Sequence, residues 1–185
     1  MKNDLTLKKY RELLLEGLSC IAKDSSLGKI VDEMADARIR NANIFLAGNG
    51  GSAANANHLA NDLIHCVNIQ GKGSFRVHSL ASNVSVITCL GNDIGYENIF
   101  SYQIQNLAVE GDIIFVFSGS GKSKNIIHAL KTARFMKLKT ISFLGFDGGT
   151  AKGLSDIVLH FPIFDMQVVE DLHMISAHLL VKKLQ

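Results

Sequence analysis

Two residues suited to acid/base or metal chemistry stand four positions apart in the first third of the chain. His58 and Asp62 fall on one face of a predicted helix, because residues at i and i+4 are neighbours on a helix surface. The residues before that helix, 48–52 (GNGGS), follow a short apolar run. A strand, a glycine-rich loop and a helix start turn backbone N–H groups toward an anion. We therefore expect an anion-binding loop and an acid/base or metal pair on one element, with Ser52 able to cap the helix.

A second loop of similar composition lies at residues 118–123 (SGSGKS), between an apolar run and a helical segment. Its serines and glycines can present hydroxyls and N–H groups to one phosphate, the alternative being a capped strand-to-helix turn. A nucleoside-triphosphate loop would need a glycine where Val116 stands, so that function is disfavoured. The first loop could be part of a dinucleotide fingerprint ending at Ala53, but no strand near residue 80 ends in an acidic residue to hold a ribose. Two Ser/Gly loops suit a small phosphorylated ligand better.

The remaining candidates are weaker on spacing alone. Residues 91–93 (GND) follow an apolar segment and could be ordinary turn residues or ligand contacts, and the sequence leaves both open. Glu170 and His178 fall on the last predicted helix, about 80° apart around its axis at two turns' separation. Both side chains could therefore line one pocket wall, although a lone histidine on a helix is usually a packed or surface residue.

Composition bounds the class of protein. A chain of 185 residues with 47% apolar and 19% charged residues is typical of one globular domain. A net charge of +2 without a Lys/Arg run gives no sign of the basic surface that nucleic-acid binding needs. The cysteines Cys20, Cys66 and Cys89 have no CxxC spacing, which favours buried reduced thiols. The N-terminal segment is unlike a signal peptide and no apolar run reaches the length of a membrane span, so we expect a soluble cytoplasmic protein.

Short apolar runs alternate with helical segments from residue 43 onward. Strands are expected at residues 44–47, 75–80, 113–117, 140–144 and 157–161. A polar stretch at 68–74 precedes the second of these strands. Helices are expected at residues 52–66, 83–90, 97–108, 123–137 and 166–184, with a short turn at 150–154. This alternation predicts one α/β domain over residues 1–185, a three-layer αβα sandwich around five parallel strands. Two leading helices, 4–22 and 26–40, have no place in it, so we expect residues 1–42 to serve partly in oligomer contacts.

The ordered motifs resemble those of a known family. AGNGGSAANANH, GND, SGSGKS and VEDLHMISAH are similar to the phosphoheptose (sedoheptulose 7-phosphate) isomerases, a branch of the sugar isomerase (SIS) domains, over nearly the whole chain. The resemblance implies a flavodoxin-like sheet and a homotetramer with active sites at subunit interfaces. From the charge and the lack of a long apolar run, we expect no nucleic-acid or membrane partner. It also implies interconversion of sedoheptulose 7-phosphate and D-glycero-D-manno-heptose 7-phosphate, within heptose biosynthesis for lipopolysaccharide or capsule precursors.

The same resemblance assigns site residues by position, with zinc or another divalent metal as cofactor. The phosphate would be held by Ser118, Gly119, Ser120 and Ser123. The sugar hydroxyls would face Asn49, Gly50, Gly51, Ser52, Asn92 and Asp93. The zinc ligands and the proton-transfer pair would come from His58, Asp62, Glu170 and His178.

Two of these positions depart from the family's pattern, which commonly has glutamate at Asp62 and glutamine at Glu170. Aspartate is shorter by one methylene, so a base at that position would fall short by roughly 1.5 Å, which matters at near-attack distances. We hypothesise that Asp62 or Glu170 removes the carbon-bound proton and that His178 transfers the proton at oxygen. A bound metal would polarise the carbonyl.

Two other functions stay open. One is an isomerase for a different sugar phosphate. The other is a non-enzymatic SIS protein, either a sugar-phosphate sensor or a replication-initiation regulator. Four convergent histidine and carboxylate positions argue against a non-enzymatic protein, whereas the departures at Asp62 and Glu170 argue for some drift.

Overall fold

The computed structural model describes residues 2–67 and 74–185, so most of the polar stretch expected at 68–74 lies outside the described residues. The helices are α1 (Lys2–Lys23), α2 (Ser26–Ile39), α3 (Gly51–His65), α4 (Val84–Asp93), α5 (Ser101–Leu107), α6 (Lys124–Phe135), α7 (Gly149–Lys152) and α8 (Met166–Leu184). The strands are β1 (Asn43–Ala47), β2 (Arg76–Ser79), β3 (Ile113–Ser118), β4 (Lys139–Leu144) and β5 (Ile157–His160). Each predicted strand is present, and each predicted helix except the one at 97–108 matches a single helix, with small differences at the ends. The turn predicted at 150–154 is the short helix α7.

The five strands form one parallel sheet in the order β2-β1-β3-β4-β5, as in flavodoxin-like folds. Alternate residues of each strand face opposite layers. In β1, Ile44 and Leu46 join the core beneath α2, α3 and α8, whereas Phe45 and Ala47 join the core beneath α5 and α6. Every residue of β3 is buried, which explains its unbroken apolar run. The predicted α/β sandwich is therefore confirmed.

The sheet order places the two Ser/Gly loops side by side. Strands β1 and β3 are neighbours, although β2 intervenes between them in the chain, and the sheet grows outward from them in both directions. At such a switch point the connections leave on opposite faces and open a crevice at the carboxyl ends of the strands. Residues 48–52 follow β1 and residues 118–123 include the end of β3, so both loops border this crevice.

The leading helices differ in how they pack. Leu27, Ile30 and Met34 of α2 are buried in the core, so α2 is an integral part of the domain. Helix α1 leaves Leu7 and Leu15 exposed and is tied to α8 by the Tyr10 hydroxyl, which donates to Asp171 at 2.5 Å. Among the residues that the structure describes, no helix is both long and apolar enough to cross a membrane.

Three local expectations were wrong. The helix predicted at 97–108 is divided into a 3-10 turn at Tyr96–Asn98 and the separate helix α5. Residues 91–93 form the last turn of α4 rather than a loop, because the apolar segment before them is itself helical. The thiols are free, but Cys66 and Cys89 are exposed and Cys20 is half-buried, since Cys20 and Cys89 lie on α1 and α4 near the surface and Cys66 is the C-cap of α3.

Candidate active site

The two Ser/Gly loops enclose one cavity of about 250 Å³ at the carboxyl ends of β1 and β3. Its lining comprises Asn49, Gly50, Gly51, Ser52, Phe117, Ser118, Gly119, Ser120, Ser123, Met166 and Glu170. Eight of the ten residues predicted to bind substrate are in this lining. The loops were expected to act on one ligand, and the structure brings them together around a single space.

The loop at 118–123 holds its hydroxyls ready to donate. The Ser118 hydroxyl oxygen accepts the Gly121 N–H at 3.1 Å, and the Ser120 hydroxyl oxygen accepts the Lys122 N–H at 3.2 Å. Because these oxygens serve as acceptors, their O–H protons remain free for a phosphate oxygen. Gly121 has a φ of +63°, and a Cβ there would collide with the carbonyl oxygen of Gly148, so only glycine fits this turn.

No basic side chain lies among the described residues that line the cavity, and Glu170 is the one ionisable group there. The ammonium of Lys122 points instead to Asp147 at 2.7 Å, and this hydrogen bond holds the pKa of Asp147 below its ordinary value. An anion in the cavity would therefore be met by hydroxyls, backbone N–H groups and the positive end of α6.

Glu170 connects α8 to the first loop. Its backbone carbonyl accepts a hydrogen bond from the buried Asn55 amide at 2.9 Å. Its carboxylate lies against Gly51, where any Cβ would collide with it, and the Ser52 hydroxyl donates to it at 3.5 Å. Ser52 thus does not cap α3, whose N-cap is Gly50. The Glu170 carboxylate is held at the cavity wall by this close packing.

A second cluster lies farther along α3 and α8. The Nε2 atoms of His58 and His178 are 3.0 Å apart, and Asp62 Oδ2 lies 3.3 Å and 3.9 Å from them. Both histidines are exposed, whereas Asp62 is buried. The other oxygen of Asp62 accepts the Asn61 amide at 3.2 Å, which fixes the orientation of the carboxylate.

The donor set of this triad fits a divalent metal such as zinc. Ligand atoms 2.0–2.2 Å from a tetrahedral zinc ion lie roughly 3.3–3.6 Å from one another. The three separations in the triad, 3.0, 3.3 and 3.9 Å, bracket this range. Two imidazole nitrogens and one carboxylate with an open fourth position also match the ligand types of catalytic zinc sites. His58, Asp62 and His178 could therefore hold the ion after small shifts.

The structure separates residues that the sequence had grouped. Among the described residues, the cluster with metal-ligating atoms within 4.8 Å of one another contains His58, Asp62 and His178 but not Glu170. Asn92 and Asp93 lie outside the cavity lining, where the Asn92 amide donates to Asp93 at 2.7 Å. Their role as sugar contacts stays a prediction.

Sequence reasoning missed several residues around the cavity. Phe117 and Met166 line it, and Asn125 and Tyr96 bond to the side chain of Asn49 at its edge. The apolar side chains carry no sequence pattern that distinguishes a cavity wall from the core. The position of Asn125 did carry a recognisable sequence pattern, because an amide in the first turn of a helix after a Ser/Gly loop is placed to meet a neighbouring loop.

A family model for the SIS domain matches residues 9–145 of the chain. This match covers most of the sequence and includes both loops of the cavity. The fold, the switch-point cavity and the match together define an SIS-domain protein.

Curated relatives narrow the class. A phosphoheptose isomerase of Helicobacter pylori is 35% identical over 179 residues, covering 97% of this chain and 90% of the relative. Another, of Geotalea daltonii, is 37% identical over 159 residues, covering 86% and 82%. The structure of phosphoheptose isomerase GmhA from Neisseria gonorrhoeae superposes with a TM-score of 0.90 at 24% identity, covering 100% of this chain and 98% of that one, and supports the fold. The chain belongs to the phosphoheptose isomerase family.

Proposed function

We propose that the protein is an aldose–ketose isomerase that interconverts sedoheptulose 7-phosphate and D-glycero-D-manno-heptose 7-phosphate through an enediol. The family supports this activity, and one observation supports the site: the phosphate-type cavity, the Glu170 carboxylate and the histidine triad follow one another along two packed helices. Such a line of groups suits a substrate with a phosphate at one end and a reacting carbonyl at the other.

The spacing along the helices suits a long sugar. Ser52 meets Glu170 and His58 meets His178, so α3 and α8 run in the same direction. At 1.5 Å per residue, the backbone positions of His58 and His178 lie about 9–12 Å along the helix axes beyond those of Ser52 and Glu170, and the long side chains of Glu170 and the histidines can span part of this rise. An extended seven-carbon sugar phosphate bound at the serines would reach toward the triad with its first carbons.

The phosphate end would be bound without ion pairing to the cavity wall. Ser118, Ser120 and Ser123 would donate hydroxyl protons, and the N–H groups of Lys124 and Asn125 at the start of α6 would donate from the backbone. The Ser123 side chain makes no cap hydrogen bond, so it too is available. Because directed hydrogen bonds rather than a basic side chain would hold the ligand, the cavity should select a phosphate by its shape and not bind anions in general.

The best-placed carbon base is Glu170. Its carboxylate lines the cavity, whereas Asp62 Oδ2 faces the two histidines and Asp62 is absent from the lining. The shorter side chain of Asp62 suits a metal ligand, and the carboxylate that the usual glutamine lacks would supply the base. Glu170 would take the proton from one carbon and return it to the neighbouring carbon.

Zinc or another divalent ion is the proposed cofactor, held by His58, Asp62 and His178. When bound, it would polarise the substrate carbonyl. The two roles suggested for His178, metal ligand and proton carrier at oxygen, both use Nε2, the atom that faces the triad. A single Nε2 atom cannot do both at once, so metal binding would leave the oxygen-bound proton to another group or to water.

A homotetramer in the cytoplasm is part of the same proposal. Helix α4 has no buried residue, and its apolar side chains Val86 and Leu90 border a groove completed by Tyr102 and Leu107 of α5. An uncovered apolar groove of this kind favours contact with another subunit. Three free thiols fit a reducing compartment.

The test is to incubate the zinc-supplemented protein with a panel of ketose phosphates and follow aldose formation by NMR. We expect turnover of sedoheptulose 7-phosphate. Turnover of a different ketose phosphate alone would move the function to another isomerase. Binding without turnover of any sugar in the panel would favour a sensor.

A further inference from the structure

The side chain of Asn49 is held at the cavity edge by a reciprocal pair of amide hydrogen bonds. The Asn49 amide nitrogen donates to Asn125 Oδ1 at 2.9 Å, and the Asn125 amide nitrogen donates to Asn49 Oδ1 at 2.8 Å. Asn49 lies in the loop after β1 and Asn125 in the first turn of α6. The pair therefore joins the loop beside Glu170 to the loop that carries the serines.

Both amide oxygens of this pair are saturated. Asn49 Oδ1 also accepts the Tyr96 hydroxyl at 3.0 Å, and Asn125 Oδ1 also accepts the Ile126 N–H at 3.0 Å. An amide oxygen has two lone pairs, so neither oxygen has an acceptor site left for a sugar hydroxyl. Asn125 is 2% exposed, so its remaining N–H is also remote from solvent.

This arrangement defines a role that differs from substrate contact. A saturated amide pair at the junction of two loops fixes their separation, and a buried polar group is costly to leave unpaired. The Tyr96 hydroxyl extends the link to the 3-10 turn after α4. The distance between the serines and Glu170 then depends on this link, and with it the placement of the reacting carbons.

We propose that Asn125 is a positioning residue that clamps the two cavity loops together through Asn49, with Tyr96 as the outer support. The proposal rests on the proposed isomerase function and assigns the Asn49 side chain to the clamp rather than to the sugar. The serine hydroxyls that would bind the phosphate are not part of the clamp, so we expect the clamp to act on the alignment of the substrate more than on phosphate affinity.

The test is a double-mutant cycle of Asn49→Ala and Asn125→Ala, with Tyr96→Phe as a milder variant. For turnover of sedoheptulose 7-phosphate we expect each alanine variant to lose about 10- to 30-fold in kcat with little change in KM. The double variant should lose no more than either single variant, because both remove the same pair. Tyr96→Phe should lose about threefold, since the amide pair survives. The dissociation constant of inorganic phosphate should change less than threefold in all of them.

Three results would overturn the proposal. If the fold-losses in kcat of the two single variants multiply in the double variant, Asn49 makes its own contact with the substrate. An equal loss of inorganic phosphate binding would mean that Asn125 only supports the serine loop. Wild-type kcat in Asn125→Ala would mean that the pair positions nothing.

A readout without turnover separates this proposal from the isomerase function. Amide hydrogen exchange of residues 50–53 should accelerate equally in both single variants and in the double variant. If the wild type makes no aldose from sedoheptulose 7-phosphate but these amides accelerate, the function fails and the clamp stands. If exchange is unchanged, the clamp fails whatever the substrate.

Discussion

The cavity and the triad both use residues of α3 and α8, but they consist of different chemical groups. At their N-terminal ends α3 and α8 contribute Ser52 and Glu170 to a cavity made largely of loop backbone and hydroxyls. Two turns later they contribute exposed histidines and a buried carboxylate. Short loops give the first region its local shape, although Ser52 and Glu170 are 118 positions apart, whereas the second consists only of helix side chains, with His58 and His178 120 positions apart.

This difference indicates a different role for each region. The cavity offers fixed dipoles whose strength changes little with pH, which suits the holding of a phosphate. The triad offers titratable groups that can bind a metal, which suits the polarisation of a carbonyl. Glu170 stands between them as the one carboxylate of the described cavity wall. Variants that affect one region and spare the other test this division, and the largest effect is expected at Glu170.

Glu170→Gln should lower kcat by about 10²- to 10⁴-fold, the range for removal of a general base. The amide keeps the shape of the side chain but cannot take a proton. Turnover of sedoheptulose 7-phosphate measures the effect, and Asp171→Asn, the exposed neighbour on α8, is the matched control that should keep its kcat. Glutamine is the residue common in the family here, so full activity in the variant would return the role of base to Asp62.

His58→Ala should lower zinc affinity by more than the roughly 10- to 100-fold typical of lost outer-shell partners, since a ligand itself is removed. Zinc content after dialysis, measured by mass spectrometry, gives the result. His65→Ala, an exposed histidine in the last turn of the same helix, should retain the metal. Phosphate binding should survive in both variants, and its loss in His58→Ala would mean that the two regions are one site.

The part of α8 between the cavity and the triad carries a buried histidine, His173, in contrast to the exposed His58 and His178. His173 is fully buried among Phe117, Phe143 and Phe161, and neither ring nitrogen makes a hydrogen bond of ordinary geometry to any described residue. Burial lowers its pKa to about 3, with a small opposing effect from the backbone of Leu144. The ring is therefore neutral in the folded protein over the range in which an unfolded histidine gains a proton.

The sign of the pH effect follows from this depressed pKa. Between about pH 6.5 and pH 3 the unfolded chain binds a proton at His173 that the folded chain does not, so stability falls as the pH falls. From pH 7 to pH 5 this group should remove about 2 kcal/mol from the free energy of unfolding. Urea unfolding at several pH values measures it. His173→Leu should flatten the slope, His65→Leu should not, and an unchanged slope in His173→Leu would contradict the assignment.

Ser120→Ala should weaken binding of inorganic phosphate by about tenfold, as expected for one hydrogen bond to a charged group. Titration calorimetry measures the dissociation constant. Ser19→Ala on α1, whose hydroxyl bonds only to the Leu15 carbonyl among the described partners, is the control. Zinc content should stay unchanged, because the serine loop does not contact the triad. Wild-type phosphate affinity in the variant would place the phosphate elsewhere.

Most of the fold was predictable because its information is local. Apolar runs of strand length alternate with helical segments, and each strand and helix followed from its own residues. The loops at 48–52 and 118–123 were recognisable for the same reason, since glycine and serine requirements act within a few residues. Where neighbouring segments compete, local pattern failed: the break before α5 and the helical state of residues 91–93 were both missed.

The sequence by itself determined the kinds of chemistry available: two Ser/Gly loops suited to a small phosphorylated ligand, a His58/Asp62 pair on one helix face, and a carboxylate and a histidine on the last helix. Tertiary structure alone decided how these were grouped. Packing of α3 against α8 places His178 with His58 and Asp62, and places Glu170 against Gly51 in the cavity. Helical spacing fixes angles within one helix, but the register between two helices depends on side chains that meet only when the chain is folded.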